Sequence, residues 1–130
     1  MEVCKEYKYT GTHEWVQFLD ENTVLMGITD FAQDALGDLV FLSVLITKGD
    51  NVVCGEAYAE AESIKAVSPI YSLVGGTLAE INYGVVDNPQ KLNESPYESW
   101  LVKITDITDT IEDLMSAEEY EEFCQRQNWQ

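Results

Sequence analysis

The chain predicts a small, mainly β fold, a sandwich or barrel, and three observations lead there. Short apolar runs rich in β-branched and aromatic residues recur between residues 14 and 104, separated by turn-forming Asp, Asn, Gly and Pro. The length of 130 residues suits one domain, 1–130, long enough to bury a core. Hydrophobic residues are 45% of the chain and charged residues 24%, which is ordinary globular usage.

The first element is a hairpin over residues 14–28, where Glu14 to Leu19 and Thr23 to Ile28 flank the turn-forming Asp20-Glu21-Asn22. A short helix near residues 30–36 follows. Thr29 or Asp30 can cap it, Phe31, Ala32, Ala35 and Leu36 have helical spacing, and Gly37 stands where a left-handed terminating residue belongs. Leu39 to Ile46 is an almost unbroken apolar run and reads as a buried strand. Turns at Gly49-Asp50-Asn51 and Cys54-Gly55 bracket Val52 and Val53, Ala57 to Ala61 is the next strand, and Gly75-Gly76 precedes another at Thr77 to Ile81. Asn88-Pro89 and Ser95-Pro96 interrupt the chain before a closing strand at Trp100 to Ile104.

The β core therefore spans 1–105, and 106–130 forms an acidic C-terminal segment with eight acids and one Arg. Two short helices are expected in it. Ile111, Leu114 and Met115 share a face of one, Tyr120, Phe123 and Cys124 a face of the other, and Ser116-Ala117-Glu118-Glu119 has the form of a capping box between them.

Charge narrows the choice of partner. Seven Lys and Arg against 24 Asp and Glu give a formal net charge of −17, so no basic patch is available for nucleic acid or for an anionic membrane surface. Cys4, Cys54 and Cys124 lie far apart with no Cys-x-x-Cys pair, which predicts free thiols rather than disulfides or a zinc site. The N-terminus has neither a signal-peptide run nor transit character, and no stretch has the length of a membrane span. The expected compartment is the cytoplasm for a bacterial chain, or a mitochondrial or related organelle matrix for a eukaryotic chain whose transit peptide has been removed.

The catalytic inventory is poor, so the chain is not expected to be an enzyme. His13 is the one histidine, and a hydrolase would have to be built around it. Glu60 and Glu62 fall on one side of a strand with nothing to separate their acidities, no metal set is spaced for ligation, and Gly75-Gly76 lacks the Lys and helix start of a phosphate loop.

One residue stands apart. Between Lys48 and Lys91 the only basic side chain is Lys65, within Ala61-Glu62-Ser63-Ile64-Lys65-Ala66-Val67-Ser68, a segment that reads as a hairpin turn between two apolar-patterned arms. Two readings are open on these residues alone: an ordinary solvated surface lysine, or a lysine displayed for modification. An unmodified structural or interaction module belongs to the first.

The order of motifs carries a resemblance. His13-Glu14-Trp15-Val16, Gly27-Ile28-Thr29-Asp30-Phe31-Ala32-Gln33, Leu36-Gly37-Asp38, Val40-Phe41, Gly49 to Gly55, Glu62-Ser63-Ile64-Lys65-Ala66 with Ser68, Ile70-Tyr71-Ser72, and Asn93 with Pro96-Tyr97 and Trp100-Leu101 resemble the glycine cleavage system H proteins over about residues 7–125.

The resemblance implies a barrel-sandwich hybrid of the lipoyl and biotinyl carrier type, two small antiparallel sheets with the modified lysine on a hairpin. Lys65 matches the position that carries lipoate as an amide, N6-lipoyllysine. Glu62, Ser63 and Ala66 match the residues that lipoate-attaching enzymes recognise, and Gly55 matches a glycine ten residues upstream at the same end. The Ala-Met-Lys-Met of a biotin site is absent. In this family the lipoyl group carries the aminomethyl unit of glycine from P protein, the pyridoxal-phosphate glycine decarboxylase, to T protein, the aminomethyltransferase. L protein, the dihydrolipoyl dehydrogenase, reoxidises it. The implied state is a monomer.

The chain departs from the family pattern at Val44-Leu45-Ile46, at Leu73-Val74-Gly75-Gly76 and at Ser99. An alternative with the same Lys65 is a related lipoyl carrier for another pathway, such as lipoate relay or sulfur oxidation.

Overall fold

A computed structural model describes residues 1–128. The strands are β1 (Lys8–Tyr9), β2 (Glu14–Asp20), β3 (Thr23–Ile28), β4 (Leu39–Val44), β5 (Asn51–Val52), β6 (Ala57–Ser63), β7 (Val67–Tyr71), β8 (Val74–Ile81) and β9 (Val102–Thr110). The helices are α1 (Asp30–Leu36), α2 (Tyr83–Val86), α3 (Lys91–Glu94) and α4 (Ala117–Asn128). One sheet has six strands in the order β1-β2-β3-β9-β8-β5 and the other has three in the order β4-β6-β7, with antiparallel pairing throughout. The fold class read from the sequence holds.

The main core lies between the sheets, where strand alternation delivers Val16, Val24, Met26, Leu42, Ala59, Ala61, Ile70, Leu78 and Ile104 to the interior. Burying each of the larger of these contributes about 1.5–3 kcal/mol. A second, aromatic cluster forms on the outer face of β2, because Trp15 points opposite to Val16 and is covered by Tyr9, Ala117, Tyr120 and Cys124. Tyr9 and Tyr120 stack at 4.6 Å, and the Trp15 indole donates to the Pro96 carbonyl at 3.1 Å. A Cβ at Gly27 would come within 2.7 Å of that indole, so the residue paired with Trp15 must be glycine.

Thr29 caps α1, its Oγ1 accepting the Ala32 N–H at 3.2 Å, and Gly37 ends the helix with φ 81°. The capping box forms as expected: Ser116 Oγ accepts from Glu119 N–H at 3.2 Å, and Glu119 Oε1 accepts from Ser116 N–H at 2.8 Å.

Four expectations are corrected. Only the second of the two C-terminal helices exists among the described residues. Residues 106–110 continue β9 across the expected boundary at 105, and Met115 forms a β-bridge with Tyr9. Ile107, Thr108 and Thr110 are β-branched and suit a strand, whereas three apolar residues at helical spacing are too few to define a helix. The final two residues of the expected acidic segment lie outside the described residues. The run Leu39–Ile46 is not a buried strand either: β4 stops at Val44, and Val40, Phe41 and Leu45 are exposed. Finally, the Asn88-Pro89 break separates two four-residue helices, α2 and α3, the Ser95-Pro96 break follows α3, and the closing strand starts at Val102 rather than Trp100.

Candidate functional site

Lys65 sits in the turn between β6 and β7, with exposed Ile64 and Ala66 on either side. The turn is held from within by Ser63. Its backbone N–H donates to the Ala66 carbonyl at 2.8 Å, and its buried Oγ accepts the N–H groups of both Lys65 and Ala66 at 3.2 Å. A short side-chain oxygen that satisfies the free amides of a tight turn is the usual use of serine at such a place. The register Glu62↔Val67 and Ala61↔Ser68 closes the hairpin behind it.

The Lys65 side chain bends over Gly37, whose added Cβ would lie 3.2 Å from Cε, and its Nζ donates to the Ala35 carbonyl at 3.4 Å. That carbonyl belongs to the C-terminal turn of α1, which carries partial negative charge and no basic residue of its own. α1 is fixed here by Asn93 of α3, whose side chain donates to the Gly37 carbonyl at 2.9 Å and to Gln33 Oε1 at 3.0 Å while accepting from the Leu39 N–H at 2.9 Å.

The other residues expected at this end divide. Glu62 and Ala66 are exposed beside Lys65, while Ser63 is buried and acts through the shape of the turn. Gly55 is not at the same end. It lies in the turn two residues before β6, with φ 86°, and its N–H donates to the Ser72 carbonyl at 2.8 Å, so the whole seven-residue strand, about 20 Å long, separates it from the lysine turn. Glu60 and Glu62 do share the outer face of β6 and are both exposed.

His13 is structural. It adopts φ 71°, stacks on Phe31 at 4.2 Å, and has Nδ1 2.7 Å from the Tyr120 hydroxyl and Nε2 3.0 Å from Gln127 Oε1. Burial lowers its pKa, opposed by the Gln127 contact. The neutral ring with hydrogen on Nε2 satisfies both contacts, donating to Gln127 and accepting from Tyr120. Its hydrogen-bond partners among the described residues are the Tyr120 hydroxyl and Gln127, so no serine, threonine or cysteine is placed for the ring to activate.

Sequence reasoning gave no role to Glu14, a buried carboxylate. Thr10 Oγ1 donates to it at 2.6 Å, Thr12 Oγ1 also donates, and its other oxygen accepts the Tyr71 N–H of β7 at 3.2 Å. Burial raises its pKa and these donors oppose the rise. The alternation Thr10-x-Thr12-x-Glu14 was the available signal. Nearby Tyr58 is fully buried with no partner for its hydroxyl among the described residues.

Among the described residues no group of three His, Cys, Asp or Glu could hold a metal ion, and no helix is long and apolar enough to cross a membrane. Cys4, Cys54 and Cys124 are free thiols. Of the departures from the expected motif pattern, Leu73 and Val74 are core residues, and Ser99 is buried with Oγ donating to the Lys91 carbonyl at 3.1 Å.

Comparison with known proteins agrees with this architecture. The family described as Glycine cleavage H-protein matches residues 7–127. A glycine cleavage system H protein of Lachnoclostridium phytofermentans is 51% identical over 127 residues, 98% of each chain. One from Paraburkholderia phytofirmans is 45% identical over 121 residues, covering 92% of this chain and 95% of its own. The crystal structure of a glycine cleavage system H protein from Mycobacterium marinum superposes with a TM-score of 0.83 at 31% identity, covering 97% of this chain and 99% of that one.

Proposed function

The chain belongs to the glycine cleavage H-protein family, and from that membership we propose that Lys65 is its lipoyl attachment site and that it serves the decarboxylase, aminomethyltransferase and dihydrolipoyl dehydrogenase of that system in turn. Members of the family are lipoate carriers, so the chain has a carrier's role in glycine cleavage and is not an enzyme.

The observation that carries the assignment is the Lys65 turn. A carrier lysine must be exposed, must project from a rigid base, and must be free of partners that an incoming enzyme could not displace. Lys65 meets all three: it is exposed, Ser63 fixes its backbone, and the one polar contact of its side chain among the described residues is a long bond to the Ala35 carbonyl. Attachment forms an amide. Lys65 Nζ loses a proton and attacks the carbonyl of an activated acyl group such as an acyl adenylate. The bond from that carbonyl to phosphate breaks, AMP leaves with its electron pair, and a second proton is released.

Held as an amide on Lys65, the lipoyl group would supply a dithiolane, the redox-active sulfur pair able to carry the aminomethyl unit between the enzymes of the system. The chain's own contribution is to tether that group, which raises its effective concentration at each partner. Its surface charge speeds encounter with partners whose active-site rims are basic, without requiring slow-releasing complexes. Of the departures from the family pattern, Leu73, Val74 and Ser99 are buried, whereas Leu45 in the segment 44–46 is exposed. The free thiols suit a reducing compartment, the cytoplasm or an organelle matrix.

Reconstitution tests the partner set. The lipoylated chain is expected to support glycine decarboxylation by P protein and methylene transfer by T protein, and Lys65→Arg to support neither. Lipoylated chain that leaves P protein inactive would assign it to a different pathway.

A further inference from the structure

The outer face of the three-stranded sheet carries an apolar strip next to Lys65 that the tether alone does not require. In the register Phe41↔Glu62↔Val67, cross-strand partners share one face, so Phe41 and Val67 flank Glu62 on the solvent side. Phe41 is 62% exposed and Val67 57%, and at the hairpin tip Ile64 is 83% exposed.

Val40 belongs to the same strip for a geometric reason. The pairing of β4 with β6 shifts between Leu39 and Phe41, so Val40 is an extra residue opposite Glu62. Such a bulge turns two consecutive side chains outward where alternation would bury one, and Val40 is accordingly 53% exposed. A groove of about 390 Å³ then opens between Phe41 and two residues opposite it, Val86 at the end of α2 and Pro89 in the loop that follows. Exposed valine and phenylalanine on an edge strand are a liability unless something covers them.

We propose that this strip, Val40, Phe41 and Val67 with Ile64, is the docking surface for the acyl-transfer enzyme that loads Lys65, an enzyme presenting an apolar anchor to the groove and basic residues around it. The inference rests on the reading of Lys65 as the acylation site. Any enzyme that takes Lys65 into its active site must cover the neighbouring surface. A standard interface buries about 800 Å² on each partner, a disc of about 16 Å radius. Phe41 pairs with Glu62, three residues before Lys65, and strands lie about 4.8 Å apart, so it falls within about 12 Å of the lysine. Asp38 and Glu60 are exposed beside the strip, and Glu62 within it has no ion-pair partner among the described residues. These acids call for a basic rim on the enzyme, around an apolar centre.

The test is the kinetics of lipoyl transfer to the unmodified full chain by a lipoate–protein ligase with lipoate and ATP, read by intact mass. Phe41→Ser is expected to raise KM for the chain about tenfold, the scale of an interface anchor. Val67→Thr, which keeps shape and strand propensity, is expected to raise it a few-fold, and kcat should stay within about twofold for both. Leu19→Ser, at an exposed apolar residue on β2, should change neither. Thermal unfolding of each variant confirms that the fold is retained, and the conservative Val67→Thr decides the matter should Phe41→Ser fail to fold. Unchanged KM in the folded variants, or a rise seen only with the decarboxylase, would overturn the docking surface and leave the attachment site standing. A wild-type chain that takes up no lipoyl group overturns the attachment site, and this surface with it.

Discussion

The Lys65 ammonium lies 3.4 Å from the Ala35 carbonyl, at the end of a helix whose last turn has no other cation. The favourable pairing of a cation with a helix C-terminus is worth about 0.3–1 kcal/mol at an exposed site. Acylation turns the ammonium into a neutral amide and removes it. Backbone amide resonances of residues 35–37 are therefore expected to shift on lipoylation, and to shift likewise in Lys65→Gln. Resonances that move in neither would show that Lys65 does not rest there in solution.

Ser63 holds the turn through two amides that have no other acceptor in the hairpin. Ser63→Ala is expected to cost about 1 kcal/mol in stability and to speed hydrogen exchange at Lys65 and Ala66. Lipoyl transfer should slow several-fold, and Ser63→Thr should restore it by returning the hydroxyl. Unaltered exchange in the alanine variant would remove the turn-holding role.

His13 links α4 to the N-cap of α1 through the Tyr120 hydroxyl, which also lies 2.6 Å from Thr29 Oγ1. Burial lowers the His13 pKa below its ordinary 6.5. A histidine with a depressed folded pKa stabilises the fold above its unfolded value, and that stability is lost as pH falls through 6.5 toward the folded value. On protonation Nδ1 can no longer accept from Tyr120. The groups facing the ring are uncharged: Phe31 on α1 and Tyr120, Phe123 and Gln127 on α4. Between pH 8 and pH 5 the wild type is expected to lose more stability in denaturant melts than His13→Asn, a residue that tolerates the positive φ. Parallel losses would refute the link.

Glu14 titrates in the opposite sense. Its folded pKa is raised by burial, so its stabilising contribution is complete below the ordinary carboxylate value and is lost as pH rises through the folded value. Glu14→Gln should therefore gain on the wild type between pH 4 and pH 7 in the same melts. A difference that stays constant over that range would show that Glu14 ionises as an ordinary carboxylate.

The turn that displays Lys65 was legible because it is local. The isolation of Lys65 among acids, and the small residues around it, mark a turn in the sequence, and the hairpin is that turn. Properties that depend on pairing were not legible. Gly55 stands ten residues before Lys65, but an uninterrupted strand carries it to the far end of the sheet. Val40 and Phe41 read as core because hydrophobicity does not reveal a bulge, and the pairing shift that exposes them exists only between β4 and β6. The buried state of Glu14 depends on two threonines and on the Tyr71 amide, a contact 57 residues away in sequence.

The central claim is that one lysine carries the function, and peptide mapping after lipoylation tests it most directly. The chain, incubated with lipoate, ATP and a lipoate–protein ligase, is predicted to gain the mass of one lipoyl group, on the peptide containing Lys65, and Lys65→Arg to gain none. No gain in the wild type with an active ligase, or a lipoyl group on any other of the chain's lysines, would contradict it.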